Sequence, residues 1–117
     1  MARYFNVRGF LDCDYPDLDV MRDVVNRYNG AGSRFHLSDE VVALYLSGWL
    51  YQEKEINWIA HAFFGASMRS EGVDLLLDQL KRIAESVPEA EGTFFVDDDE
   101  GGVSQRWEVS DGQVLVR

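Results

Sequence analysis

Residues 3–13, RYFNVRGFLDC, alternate without a break. Phe5, Val7, Gly9, Leu11 and Cys13 fall on one side; Tyr4, Asn6, Arg8, Phe10 and Asp12 fall on the other. A period of two is that of a β-strand, whose successive side chains point to opposite faces. The first side is apolar throughout and needs a cover. The second mixes aromatic with polar groups, the composition of a face in contact with water or with another molecule. The chain must therefore build a sheet with one face buried, and must supply something to bury it.

Two segments have the period for that task. Asp14-Tyr15-Pro16-Asp17 reads as a helix start, with Pro16 at the first helical position and Asp17 in the first turn. Leu18, Met21, Val25 and Tyr28 follow at helical spacing, and Asn29-Gly30 is suited to end the helix in left-handed conformers. The second helix is read from Ser70 as its cap. Its stripe is Val73, Leu76, Leu77, Leu80, Ile83, Ala84 and Val87, and Pro88 stops it.

Between these helices, SRFHL reads as a short strand and Ser38-Asp39-Glu40 as a turn or a helix cap. VVALYLSGWLY reads as a strand on its β-branched and aromatic content. Leu44, Leu46, Gly48 and Leu50 then oppose Tyr45, Ser47, Trp49 and Tyr51. Gln52 to Glu55 make a polar turn. In NWIAHAFFGASM, Trp58, Ala60, Ala62, Phe64, Ala66 and Met68 share one face, while Asn57, Ile59, His61, Phe63, Gly65 and Ser67 share the other. GTFFVDDDEGGVSQRWEV forms a hairpin with an acidic connection, and Ser110-Asp111-Gly112 turns the chain into QVLVR. Strands and helices in this order predict one α+β domain over residues 1–117, an antiparallel sheet with two helices packed on one face.

With both helices on one side, the other side of the sheet is expected to be open. It would carry Tyr4, Phe10, Tyr45, Trp49, Tyr51, His61 and Phe63 among Asn6, Arg8 and Ser47. Aromatic and arginine side chains dominate protein-binding hot spots, and apolar patches left uncovered on proteins mark interaction sites. Tyr45, Trp49, Tyr51, His61 and Phe63 are accordingly the expected partner-binding residues. Asp97, Asp98, Asp99 and Glu100 join them as a second contact.

Charge narrows the partner. The 117 residues hold 21 acidic and 11 basic side chains, a net charge of -10. Nucleic-acid affinity comes largely from Lys and Arg on phosphates, so nucleic acid is not expected as a partner. An anionic membrane surface is disfavoured for the same reason. A basic protein is favoured, steered by opposite charge, and a homodimer is compatible with this reading. The N-terminal Met1-Ala2-Arg3-Tyr4-Phe5-Asn6 has no apolar segment of signal-peptide length, and no apolar run reaches the roughly 18 residues of a membrane span, so a cytoplasmic protein is expected.

Catalytic and metal motifs do not emerge. Asp97-Asp98-Asp99-Glu100-Gly101-Gly102 lacks the twelve-residue pattern and flanking helices of an EF-hand calcium loop. His36 and His61 have no metal-ligand spacing, and HExxH, GxSxG and phosphate-loop patterns are missing. The single cysteine, Cys13, lies on the apolar side of the first strand and reads as a buried, inert thiol rather than a nucleophile with a histidine base. Neither cofactor nor metal is expected, and the chain is not read as an enzyme.

One resemblance bears on the second half. A helix ending in Ile83-Ala84 is followed by Pro88, the strand Gly92-Thr93-Phe94-Phe95-Val96, the acidic turn Asp98-Asp99-Glu100, and a closing segment with Trp107 and Gly112. This pattern resembles the end of the "immunity protein seven" family of bacterial polymorphic-toxin systems. It covers about the last 45 residues. The resemblance implies a protein that neutralises a cognate toxin, often a nuclease, by stoichiometric binding. Two other classes stand beside it: a phage-type anti-defence inhibitor or nucleic-acid mimic, and a small-molecule-binding domain with a pocket formed by Tyr45, Trp49, His61 and Phe63.

Overall fold

The computed structural model describes residues 3–102 and 104–117. Met1 and Ala2, and Val103 in the connection of the acidic hairpin, lie outside the described residues. The chain forms β1 (Tyr4–Asp14), α1 (Asp17–Asn26), a short 3-10 helix (Gly32–Phe35), α2 (Asp39–Leu46), β2 (Trp49–Tyr51), β3 (Ile59–Arg69), α3 (Ser70–Ser86), β4 (Glu91–Asp98), β5 (Ser104–Ser110) and β6 (Gln113–Val116). The strands make one antiparallel sheet in the order β2-β3-β1-β4-β5-β6. The α+β architecture with one helix-covered face is as the sequence predicts.

β1 is central because its apolar side is continuous. Val7, Leu11 and Cys13 are buried, whereas Tyr4, Asn6, Arg8 and Phe10 are exposed on the other side. β3 pairs with it over its whole length, from Tyr4 opposite Arg69 to Asp14 opposite Ile59. Ala60, Ala62, Phe64 and Met68 point to the same side as Val7 and Leu11 and are buried. The small alanines let α1 and α3 come close to the strands. Both helices pack on β1 and β3 and on each other, and α3 reaches on to β5 and β6. α3 buries Leu75, Leu76, Gln79, Leu80, Ile83 and Ala84. Burying a Leu or Ile side chain is worth about 1.5–3 kcal/mol, so this stripe is a main anchor of the fold.

Gly9 makes room for an aromatic ring. It lies directly opposite Phe94 of β4, and an added Cβ would stand 2.4 Å from the Phe94 ring. The ring lies over the glycine, on the covered side of the sheet. At the other hairpin, Asp111 and Gly112 both have positive φ (53° and 76°), the backbone of a two-residue type I′ turn that matches strand twist.

Residues 39–46 are a helix, not a strand. Ser38 caps it: its hydroxyl accepts a hydrogen bond from the Val41 N–H at 3.2 Å. Asp39 and Glu40 in the first turn complement the helix dipole. Val42 and Tyr45, three apart, turn inward. The cap permits a helix here, and burial of Val42 and Tyr45 against the core tips the balance over the strand propensity of Val41, Val42 and Tyr45. SRFHL likewise contains no strand; Gly32–Phe35 is 3-10. At α3, Ser70 is the first helical residue rather than the cap, and its hydroxyl donates to Glu71. Trp58, expected to share the covered face with Ala60, precedes β3 and is 82% exposed. Among the described residues, no helix is long and apolar enough to cross a membrane.

Candidate protein-binding face

The uncovered face is organised in rows that cross the strands. Leu50 of β2 pairs with Phe63 of β3, Phe63 with Phe10 of β1, Phe10 with Thr93 of β4, and Thr93 with Glu108 of β5. Leu50 is 68% exposed and Phe63 51%. In the next row Arg8 lies opposite Phe95, its guanidinium 5.3 Å from the ring centre, and Phe95 lies opposite Arg106. Ile59, on the same side of β3 as His61 and Phe63, is exposed too, as are Trp58 and Ile56 in the segment before β3. The result is an aromatic strip with basic and acidic groups along its sides.

On one side of this strip, His61, Asp12 and Glu91 follow one another across β3, β1 and β4. His61 Nδ1 is 2.6 Å from Asp12 Oδ1, and its ring tilts against Phe63. Asp12 and Glu91 are cross-strand partners of like charge, an arrangement that opposes strand pairing. Asp14 and Glu89 lie beside them, and together with Cys13 and Ile59 the four carboxylates line a depression of about 380 Å³. Burial pushes the Cys13 thiol up to about 11, and Asp17, Asp14 and Asp12 add to the shift. This shift disfavours the thiolate at neutral pH.

On the other side, Arg8 Nη1 donates to Asp97 Oδ2 at 2.7 Å, and this bond holds the Asp97 carboxyl below the usual range. Glu108 is held by both Arg106 and Arg117.

The expected binding residues separate into two groups. His61 and Phe63 belong to the open face. Tyr45, Trp49 and Tyr51 do not, and their assignment to it is corrected. Trp49 pairs with Phe64 and Tyr51 with Ala62, which places both on the helix side. Trp49 is 5% exposed; its indole N–H donates to Gln79 Oε1 at 2.9 Å, and its ring meets Phe64 and Phe94 edge-on. Tyr51 stacks on Trp49, and its hydroxyl is buried without a hydrogen-bond partner among the described residues. Burial raises the Tyr51 pKa. Tyr45 sits on α2, where its hydroxyl accepts from the Arg69 N–H at 3.0 Å. The alternation read from Leu44 onward had the phase reversed: the strand starts only at Trp49, and pairing with β3 decides which side chain faces in.

The acidic run is also divided. Asp98 is buried, and Arg3 Nε donates to its Oδ2 at 2.9 Å, with a second contact from Arg3 Nη2. Asp98 Oδ1 accepts from the Glu100 N–H. The Arg3 bonds hold the Asp98 carboxyl below the usual range. Asp98 therefore closes the hairpin, and only Asp99 and Glu100 of the run are exposed with no ion pair among the described residues. No group of three or more His, Cys, Asp or Glu among the described residues has metal-binding geometry.

Leu50 and Phe95 of the strip were missed, and so was the exposure of Trp58. Phe95 was legible, since Phe94-Phe95 in a strand must send one ring to each side. Trp58 was masked by its agreement in phase with Ala60. No protein-family model matches this chain, and no curated protein or solved structure matches it.

Proposed function

We propose that this chain is a binding protein that captures a basic bacterial toxin on its uncovered sheet face and neutralises it in the cytoplasm by forming a stoichiometric complex. The observation that carries the reading is the strip of Leu50, Phe63, Phe10 and Phe95 on a sheet face that no helix covers, bordered by the like-charged pair Asp12 and Glu91. The rings supply contact area that is already rigid, so little conformational entropy is lost on docking. A lysine or arginine of the partner set against Asp12 and Glu91 would relieve their repulsion. The net charge of -10 would speed the encounter. The toxin class rests on the resemblance of the C-terminal segment together with this charge. A small-molecule pocket of Tyr45, Trp49, His61 and Phe63 is not favoured, because the sheet separates the first two from the last two.

The test is rescue of growth. A toxin encoded beside this gene is expressed in a sensitive host with the wild-type chain or with Phe63→Asp or Leu50→Asp. Wild type should restore growth and titrate the purified toxin's activity to zero at a one-to-one ratio. The variants should fold and fail to rescue. Rescue by both variants at wild-type level, or no neutralisation by the wild type, would overturn the proposal.

A further inference from the structure

The helical layer carries a second site of opposite charge. Arg27 at the end of α1, Arg34 of the 3-10 helix and Arg82 of α3 line one cleft of about 170 Å³, together with Tyr28 and Glu85. Its internal frame is built from hydrogen bonds. Asp78 of α3 accepts from the Tyr28 hydroxyl at 2.6 Å and stands 3.6 Å from Arg34 Nη2. Tyr28 is buried, and Arg34 lies over the Phe35 ring. Arg34 is thus held on one flank by a carboxylate and on the other by an aromatic face.

Arg27 and Arg82 are different. Neither has an ion-pair partner among the described residues, although carboxylates outnumber cations 21 to 11 and most other arginines are paired. Three guanidiniums converging against Asp78 and Glu85 leave the cleft positive in a molecule of net charge -10. A planar guanidinium presents paired donors that match the oxygens of phosphate or carboxylate. The volume admits a group of that size and excludes a drug-sized ligand, whose pockets run from about 300 Å³ upward.

We propose that this cleft binds a compact dianion, a phosphate group or a small dicarboxylate, through Arg27, Arg82 and Arg34. The site lies in the helical layer and is independent of the open sheet face. Bound there, the anion would bridge α1, the 3-10 helix and α3, and so would stabilise the fold by mass action.

Inorganic phosphate and malonate are the probes, each titrated at constant ionic strength against chloride, with melting temperature and backbone NMR shifts recorded. A saturable rise in melting temperature with shifts centred on residues 27–34 and 82–85 is expected for at least one probe. Which probe saturates assigns the anion. Arg27→Gln and Arg82→Gln should each weaken binding roughly tenfold, the scale of a charged hydrogen bond. Glu85→Gln should tighten it, an outcome that a purely structural role for the cleft would not give. The variants' own stability in chloride reports their folding. The proposal fails if neither probe saturates, or if chloride matches both. It also fails if the arginine variants respond like wild type, as a general salting effect on an acidic protein would require.

Discussion

The two faces of β3 differ by one residue of phase and by everything that follows from it. On one side Ala60, Ala62, Phe64 and Met68 are sealed under α1 and α3; on the other Ile59, His61, Phe63 and Gly65 meet no helix. Aromatic rings occur on both. What separates the faces is company: Phe64 has Trp49 against it, and Trp49 in turn meets Phe94, whereas Phe63 has Leu50, Phe10 and the tilted ring of His61. The covered face places small residues where a helix must approach. The open face places Arg8, Asp12 and Asp97 among its rings, which keeps it hydrated. Aromatic content alone therefore does not mark a binding surface; the layer above it does.

The largest expected effect tests the covered face. Trp49→Ala removes a buried indole and leaves Gln79 Oε1 without its donor. A loss of about 3–5 kcal/mol in urea-induced unfolding is expected, the range for large aromatic truncations in cores. A loss under about 1 kcal/mol, typical of surface sites, would return Trp49 to the open face.

Asp98→Asn comes next and has a pH signature. The carboxyl's folded-state pKa is lowered, chiefly by Arg3, from an ordinary value of about 3.9. Its contribution to stability is therefore present above that ordinary value and lost as pH falls through the lowered one. The asparagine variant should be less stable than wild type at pH 7. The gap should close in acid, below about pH 4. A gap that stays constant between pH 7 and pH 2 would show that the ion pair with Arg3 contributes nothing. Asp99→Asn with Glu100→Gln should leave stability unchanged or slightly raised, since neither carboxylate has an ion pair among the described residues.

Tyr51→Phe should act in the opposite direction. The hydroxyl is buried and makes no hydrogen bond among the described residues, so its removal should raise stability by about 1 kcal/mol. A fall of that size would mean that the hydroxyl has a partner in solution.

Phe63→Ser should have the smallest effect on folding, within about 0.5 kcal/mol, as for an exposed site. On binding to the proposed partner it should cost about 2 kcal/mol or more, if the strip is the contact surface. A calorimetric titration that gives equal affinity for both forms would remove the strip from the interface.

The sequence by itself determined the long strands, the amphipathic α3, the Asp-Gly turn and the sidedness of β1. Each depends on local periodicity or on backbone conformations that few residues adopt. It also showed that one side of β1 and β3 would mix aromatic with polar groups. Tertiary structure decided what lies between. Ser38 could cap a helix or begin a turn, and only packing of Val42 and Tyr45 onto the core chose the helix. That choice shortened β2 and handed its phase to β3, which sent Trp49 inward and Leu50 outward. Asp98 and Asp99 are neighbours of the same type, yet the first is buried on Arg3 and the second is exposed, because consecutive residues of a strand end face opposite environments. The convergence of Arg27, Arg34 and Arg82 was beyond the sequence for the same reason: they come from three elements, and only the packing of helices brings their charges together.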